Sequence, residues 1–437
     1  VEVTGRPAGS ATLFTPVAVA DSGSASTGVT LGLKGPTRLQ MLDIPAVHDG
    51  MDTPAMLVAA CGYYDAWPGG VVLRSDDGGT SWDQTDAVGV PGATIGQAIN
   101  ALSGVDSFAL MDKANTLSVR LINGDLSSVT ETAMLAGANH FALGDHGRWE
   151  IIAAQTCLLQ GDGTYILRDF IRGRFGTEWA VNTHAALDTL VLLDTDTIVQ
   201  SGVASAFIGV ERKYRGVTLG QSEDEATTQS LTYNAVNLEC LSPVYLNGNR
   251  GASNDWTITW VRRTRIGASW RDKVDAPLSE ASEAYEVEIY SDATYSTLKR
   301  TLSGLTSATA TYTSAQQTTD FGAAQTTLYL KIYQIGAIAG RGYPLVSSLP
   351  RRPSTRLLMH GNGDNNGTVF PDEAGNTITA VGGLTTANDV APVFGSTSIK
   401  FNGSNAYFSV PSNFGMFGDF TIEFWRRGGF TGCYFSH

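Results

Sequence analysis

The chain has 437 residues, room for roughly two to four domains, with 42% hydrophobic and only 16% charged residues. Its 42 acidic against 29 basic residues give a net charge of −13, which argues against a nucleic-acid partner, since that would need a basic patch, and against an anionic lipid surface. No stretch approaches the ~18 apolar residues of a membrane span, and no secretory leader is read at the start.

The 49 glycines, with many serines and threonines, favour strands and tight turns, and long amphipathic helices are absent, so the expected fold class is mainly β. The first part runs to about residue 240. A hairpin is expected at 71–75, turning through 76–79 to Trp82. Residues 189–194 are apolar on both faces and so belong inside a sheet. The second part, 241–349, alternates with period two: Trp256, Ile258 and Trp260 share a face, as do Tyr285, Val287 and Ile289, and Leu328, Leu330 and Ile332. Glu286 and Glu288 are expected to face water. Such strands with an early buried Trp predict one antiparallel β-sandwich with Trp260, Val287, Ile289, Leu330 and Ile332 in its core. A linker with two prolines, 349–353, precedes a third β-patterned part that ends soon after a strong strand at 419–425. Val1 is no initiator and His437 follows no domain ending, so both termini are expected to be cuts in a longer polypeptide.

Cys61, Cys157, Cys240 and Cys433 are far apart without C-x-x-C spacing, so they are expected as buried thiols and not as a disulfide framework or zinc site. Ser75, Asp77, Gly79, Ser81 and Trp82 fit the Asp-box pattern of sialidase propellers. A sialidase repeats this box and adds an arginine cluster; a single box is expected to stabilise a turn, Asp77 accepting backbone N–H bonds, Gly79 allowing positive φ and Trp82 packing beneath. Arg172, Arg174 and Glu178 are either an anion site or, preferably, loop braces working through carboxylates and carbonyls. His140, His146 and Asp145 lack a fixed metal-ligand spacing and are expected at the surface. The acidic groups Glu280 with Glu283, and Glu223 with Asp224 and Glu225, lie in polar sequence with no apolar pocket and are expected to be solvated. Neither a nucleophile elbow, a P-loop nor a dinucleotide fingerprint occurs. No catalytic residue, metal ligand or cofactor is therefore assigned.

Three stretches carry a resemblance. Gly163, Thr164, Tyr165 and Leu167, followed by Arg172, Gly173, Arg174, Gly176, Thr177 and Glu178, resemble a motif of the tail-tip hub proteins of gene transfer agents and long-tailed phages of alphaproteobacteria. His184, Leu192 and Asp194 fall where that family carries such residues, and segments 42–45 and 73–79 look similar too. Segments 241–246, 260–265 and 312–317 resemble the fibronectin type III module that follows, and 357–360, 370–376, 394–396, 399–403, Tyr407 and 419–425 resemble part of a laminin-G/concanavalin-like jelly roll. The resemblance implies serial β-rich domains: 1–38 the end of a preceding hub region, 39–240 a β-rich hub-peripheral domain, 241–349 a fibronectin-like sandwich and 350–437 an incomplete jelly roll. It also implies a homotrimer at a virion or gene-transfer-agent tail tip, extracellular when released. There the chain would contact other tail-tip proteins and a bacterial surface glycan or receptor. The sandwiches are expected to be joined by short linkers, none needing its neighbour to fold. Tyr407 and Trp425 are the candidate glycan-stacking aromatics, and Asp372 and Asn376 sit where such jelly rolls sometimes bind calcium, though a turn-stabilising role is as good a reading. The rival readings are a secreted glycan-active enzyme with accessory modules, which needs two carboxylates in a cleft, and a bacterial surface adhesin.

Overall fold

The computed structural model describes residues 34–105, 107–108, 110–268 and 274–349, and then 359, 361, 364–370, 372, 378–388, 397–402 and 404–409. It is mainly β, as expected. In the first part the strands are β1 (Thr37–Leu42), β2 (Ala55–Gly62), β3 (Gly70–Ser75), β4 (Asp83–Val88), β5 (Ile95–Ala98) and β6 (Leu117–Asn123), then a short helix α1 (Glu131–Leu135). They continue as β7 (His140–Gly144), β8 (Glu150–Leu159), β9 (Tyr165–Arg174), β10 (Thr189–Leu192), β11 (Ile198–Gly202), β12 (Glu211–Thr218) and β13 (Thr228–Thr232). Since β1 starts at Thr37 and pairs with β2, the expected boundary at 38/39 falls inside a strand.

These strands make three layers. An outer sheet in the order β13-β12-β3-β4 covers a middle sheet β1-β2-β11, and the middle sheet lies on a closed barrel β10-β5-β6-β9-β8-β7. Strand β2 explains the stacking: all eight of its residues are buried, and its unbroken Ala-Met-Leu-Val-Ala-Ala-Cys run is the pattern of a strand covered on both faces. Met56, Val58 and Ala60 pack towards the outer sheet with Val72 and Tyr214. Leu57, Ala59 and Cys61 point the other way, onto Ile95, Ala142, Ile151 and Val191 of the barrel wall. The barrel strands keep period two: Phe141, Leu143 and Leu190 fill the interior with Leu117, Val119, Leu167 and Phe170, while Ala142 and Val191 face the middle sheet. The 189–194 strand expected inside a sheet is β10, hydrogen-bonded on both sides, though it ends at Leu192.

The second part is one sandwich. Its elements are β14 (Val244–Arg250), β15 (Trp256–Val261), β16 (Tyr285–Tyr290), β17 (Leu298–Leu305), β18 (Thr309–Tyr312), α2 (Ser314–Phe321), β19 (Leu328–Gly336), β20 (Gly340–Arg341) and β21 (Leu345–Leu349). Sheet β14-β15-β18 faces sheet β17-β16-β19, and β21 adds to β19, the strand arrangement of a fibronectin type III module. Trp260, Val287, Ile289, Leu330 and Ile332 are all in the core. Glu288 corrects the expectation of a water-facing carboxylate: it is buried, accepting hydrogen bonds from Tyr290 Oη at 2.7 Å and Tyr333 Oη at 3.1 Å and pairing with Arg341 at 2.8 Å. Side chains on the outer face are long enough to close over it, which alternation cannot reveal. Helix α2 starts on a Thr313–Gln316 capping box and stops at Gly322.

The sandwich is docked on the first part and not strung from it by a free linker. Arg263 forks onto Glu178 at 2.6 and 3.2 Å and donates from Nε to Ser242 O at 2.7 Å. Trp179 stacks on Tyr343 with ring centroids 4.4 Å apart. Arg265 pairs with Asp52 at 2.8 Å, and the Gly267 N–H reaches Asp49 at 2.9 Å. In the third part the described residues form two short ladders, β22 (Thr379–Val381) with β25 (Tyr407–Ser409) and β23 (Thr385–Ala387) with β24 (Ser398–Lys400).

This joint predicts cooperative unfolding. Calorimetry is expected to show the first part and the sandwich melting in a single transition. The double variant Trp179→Ala/Arg263→Ala, which removes a stack worth about 0.5–1.5 kcal/mol and a charged fork, is expected to resolve two.

Candidate functional site

The motif around Arg172 builds an ionic chain inside one end of the barrel. Strand β9 delivers Arg172 to the interior, and β8 begins with Glu150, a charge heading the apolar run Ile-Ile-Ala-Ala. The guanidinium forks onto Glu150, Nε to Oε1 at 2.8 Å and Nη2 to Oε2 at 2.9 Å. Its Nη1 reaches Asp112 at 3.2 Å and Ser103 O at 2.8 Å. The Glu150 carboxylate also accepts the Gly173 N–H at 2.8 Å and His184 Nε2 at 2.5 Å. His184 Nδ1 lies 3.3 Å from Asp188, which pairs with Arg148. Arg172, Glu150 and His184 side chains are at most 1% exposed. The two His184 ring nitrogens face carboxylate oxygens of Glu150 and Asp188. The guanidiniums of Arg172 and Arg148 stand at the two ends of this row, against Asp112, Glu150 and Asp188.

Local backbone makes this possible. Gly173 has φ +60, which turns its N–H onto Glu150, and Gly176 has φ +87 with Leu241 so close that a Cβ would lie 2.4 Å from it. Thr177 accepts the Ile151 N–H at 2.9 Å where the β8–β9 register shifts. Burial pushes the Glu150 carboxyl up, but hydrogen bonds from His184 and Arg172 outweigh it and hold the group below its ordinary range. Asp188 is likewise raised by burial and lowered further by Arg148 and the Ala185 N–H. Carboxylates depressed in the folded state contribute stability at neutral pH that is lost as pH falls below their unfolded values.

The other expected site residues are dispersed. Glu178 braces the joint, a use the loop-brace reading allows. Arg174 does not brace: it is half-buried over Phe175 at 5.4 Å, with Nε unpartnered, because the bulge turns it away from the carboxylates that Arg172 meets. Asp77 accepts Thr80 N and Ser81 N at 2.9 Å and both Ser75 and Ser81 hydroxyls, which together hold its carboxyl well below the usual range. Gly79 has φ +103. Trp82 lies under Arg215, 4.2 Å from its ring centroid, on the surface of the outer sheet instead of in a core. His140 is buried in β7, edge-on to Phe175, with burial pushing its pKa down to about 4, so it is not the expected surface residue; His146 is exposed. Among the described residues no group of three His, Cys, Asp or Glu is placed to hold a metal ion. Glu280 is not solvated but held by Arg265 at 3.1 Å, and Tyr285 Oη donates to Glu283 at 2.6 Å. Residues 223–225 are exposed. Cys61, Cys157 and Cys240 are buried free thiols; Cys433 lies outside the described residues. Tyr407 is exposed on β25, whereas Trp425 and Asn376 lie outside the described residues. Asp372 is described and partnered.

Sequence reasoning missed Glu150, Asp112, Asp188 and Arg148. A lone charge opening an apolar strand, and His184 four residues before Asp188, were the available signals. Beyond the Arg148–Asp188 pair the chain ends at a polar cleft of about 470 Å³ between barrel and sheets, lined by β1, β13, the β7–β8 turn and the segment before β10.

Residues 93–191 match the family model described as Rcc01698-like, C-terminal. That match spans β5 to β10 and contains Asp112, Arg148, Glu150, Arg172, His184 and Asp188. No match was found among curated proteins. Among solved structures, the FN1–FN3 domains of chicken CNTN1 align over 72% of this chain and 98% of that one, at 8% identity and a TM-score of 0.18. The fibronectin type III assignment here rests on the strand order of residues 244–349. No helix among the described residues is long and apolar enough to cross a membrane.

Two outcomes follow. Arg172→Ala leaves Glu150 and Asp112 without their cation and is expected to cost about 3–5 kcal/mol in chemical denaturation. Glu239 is pushed up to about 7 by burial and the nearby Asp43, and its Oε2 has no partner. A carboxyl raised in the folded state adds stability at low pH that is lost as pH rises through its folded value. Glu239→Gln is therefore expected to raise the melting temperature above pH 7 and to leave it unchanged below about pH 4, the ordinary range of a free Glu.

Proposed function

We propose that this chain is a structural, surface-contacting component of a phage-type or gene-transfer-agent tail tip, trimeric about the tail axis and without hydrolytic activity of its own. The observation that carries this reading is the ionic chain from Arg172 to Arg148. In the segment that matches the Rcc01698-like family, Arg172, Glu150, Asp112, His184 and Asp188 are engaged with one another, which suits a rigid scaffold better than a reacting centre. The docked sandwich supports it too, since a stiff joint transmits position along an extended assembly. In this reading the third part is displayed outward, and its contacts with a bacterial surface gain avidity from the symmetric copies.

Sedimentation of the purified chain or of its parent polypeptide is expected to give a trimer, and cryo-electron microscopy of particles to place it at the tail tip. A monomer in particles, or density in the capsid or tube, defeats the reading. Reducing-sugar release from bacterial polysaccharides is expected to stay at background, and turnover abolished by replacing one carboxylate would turn the assignment towards an enzyme.

A further inference from the structure

The cleft at the end of the ionic chain has the chemistry of a small-ligand site. Its volume of about 470 Å³ falls within the range of about 300–1,000 Å³ typical of such sites. Two independent units supply its walls: Arg38 and Gln229 come from the sheets, and Asp145, His146 and Arg148 from the β7–β8 turn. Arg148 is held by Asp188 and by the carbonyl of Thr183 at 3.0 Å, so this wall is set before any ligand arrives. Arg38 is different. Its side chain gives one hydrogen bond, to Gln40 at 3.2 Å, and its Nε has no partner.

The charges decide the ligand class. Arg38 and Arg148 are offset by Asp145 and Asp188, and the chain as a whole carries −13. The lining is thus neutral in sum and leaves no net cation for an anionic ligand to pair with. What it offers is a mixture of donors and acceptors around one cleft: the guanidinium of Arg38, the carboxylate of Asp145, which accepts the His146 N–H, the ring of His146, and the amide of Gln229, whose Nε2 donates to Leu39 O at 3.3 Å. Vicinal hydroxyls, each donating and accepting, satisfy such a mixture. The rim adds an apolar surface. Leu187 is 72% exposed and held at φ +73, a conformation unfavourable for a leucine, with its N–H tied to Ala98 O at 2.8 Å.

From this we infer that the cleft between the barrel and the sheets binds a neutral saccharide, hydroxyls towards Arg38 and Asp145 and a C–H face towards Leu187. The inference deepens the proposed surface contact by placing one sugar subsite in the first part, away from Tyr407. The two fail separately, because particle microscopy tests the placement and a binding measurement on the isolated chain tests the cleft.

Saturation-transfer difference NMR on the full chain, with maltose, lactose and cellobiose as neutral probes and digalacturonate as the anionic one, reads the site directly. At least one neutral disaccharide is expected to receive transfer that low and high salt leave unchanged. In Arg38→Met its affinity is expected to fall by at least about tenfold, the loss of hydrogen bonds to a charged group. Leu187→Gly is expected to weaken the transfer to ring C–H protons while raising the melting temperature. Should Arg38→Met fail to fold, Asp145→Ala carries the same expectation. No transfer from any neutral probe, unchanged transfer in the folded variant, or binding of digalacturonate alone that salt screens out would each overturn the inference.

Discussion

The fork between Arg172 and Glu150 is the contact on which the barrel end depends. A guanidinium and a carboxylate enclosed among aliphatic side chains are each costly alone, and each is tolerable only because the other is held in bidentate register. Holding that register constrains the surroundings. Gly173 must turn its N–H inward, the segment carrying Asp112 must close over Nη1, and His184 must bridge to Asp188. The last link, Arg148, lies at the surface, so the order of the interior reaches the cleft wall without any moving part.

The same short stretch of chain also sets the joint. Within seven residues of Arg172 come Gly176, packed on Leu241, Glu178, clamped by Arg263, and Trp179, stacked on Tyr343. The interior of the barrel and the pose of the sandwich are therefore not independent. The loop that follows Arg172 is thus also the loop that holds the second domain. Elsewhere the load is apolar, with β2 serving as the shared layer between outer sheet and barrel. The Asp77 turn is a local matter, stabilised by its own hydroxyls and amides.

Glu288 and Glu280 illustrate a limit of pattern reading. Both sit at positions where alternation or polar neighbours suggest solvent, and both are covered because an arginine distant in sequence, Arg341 or Arg265, folds over them. Long charged side chains bury their stems and bring counter-charges with them, and nothing in a local window marks that event. His140 shows the converse: a polar residue opening an apolar strand was pulled into the wall by the strand it belongs to.

The sequence by itself determined the β class, the sandwich and its core, the hairpin of the Asp77 turn, the burial of the described cysteines and the importance of the Arg172 motif. Each of these follows from period, turn chemistry or composition within a short window. Only the tertiary structure decided that the barrel closes, that Arg172 meets Glu150, Asp112 and, through Glu150, His184, and that Arg174 meets no carboxylate. It also decided that the sandwich is docked and that a polar cleft opens between barrel and sheets. Those outcomes join residues tens of positions apart, and whether a charge finds its partner depends on which strands become neighbours, a property of the closed topology and not of any stretch of sequence.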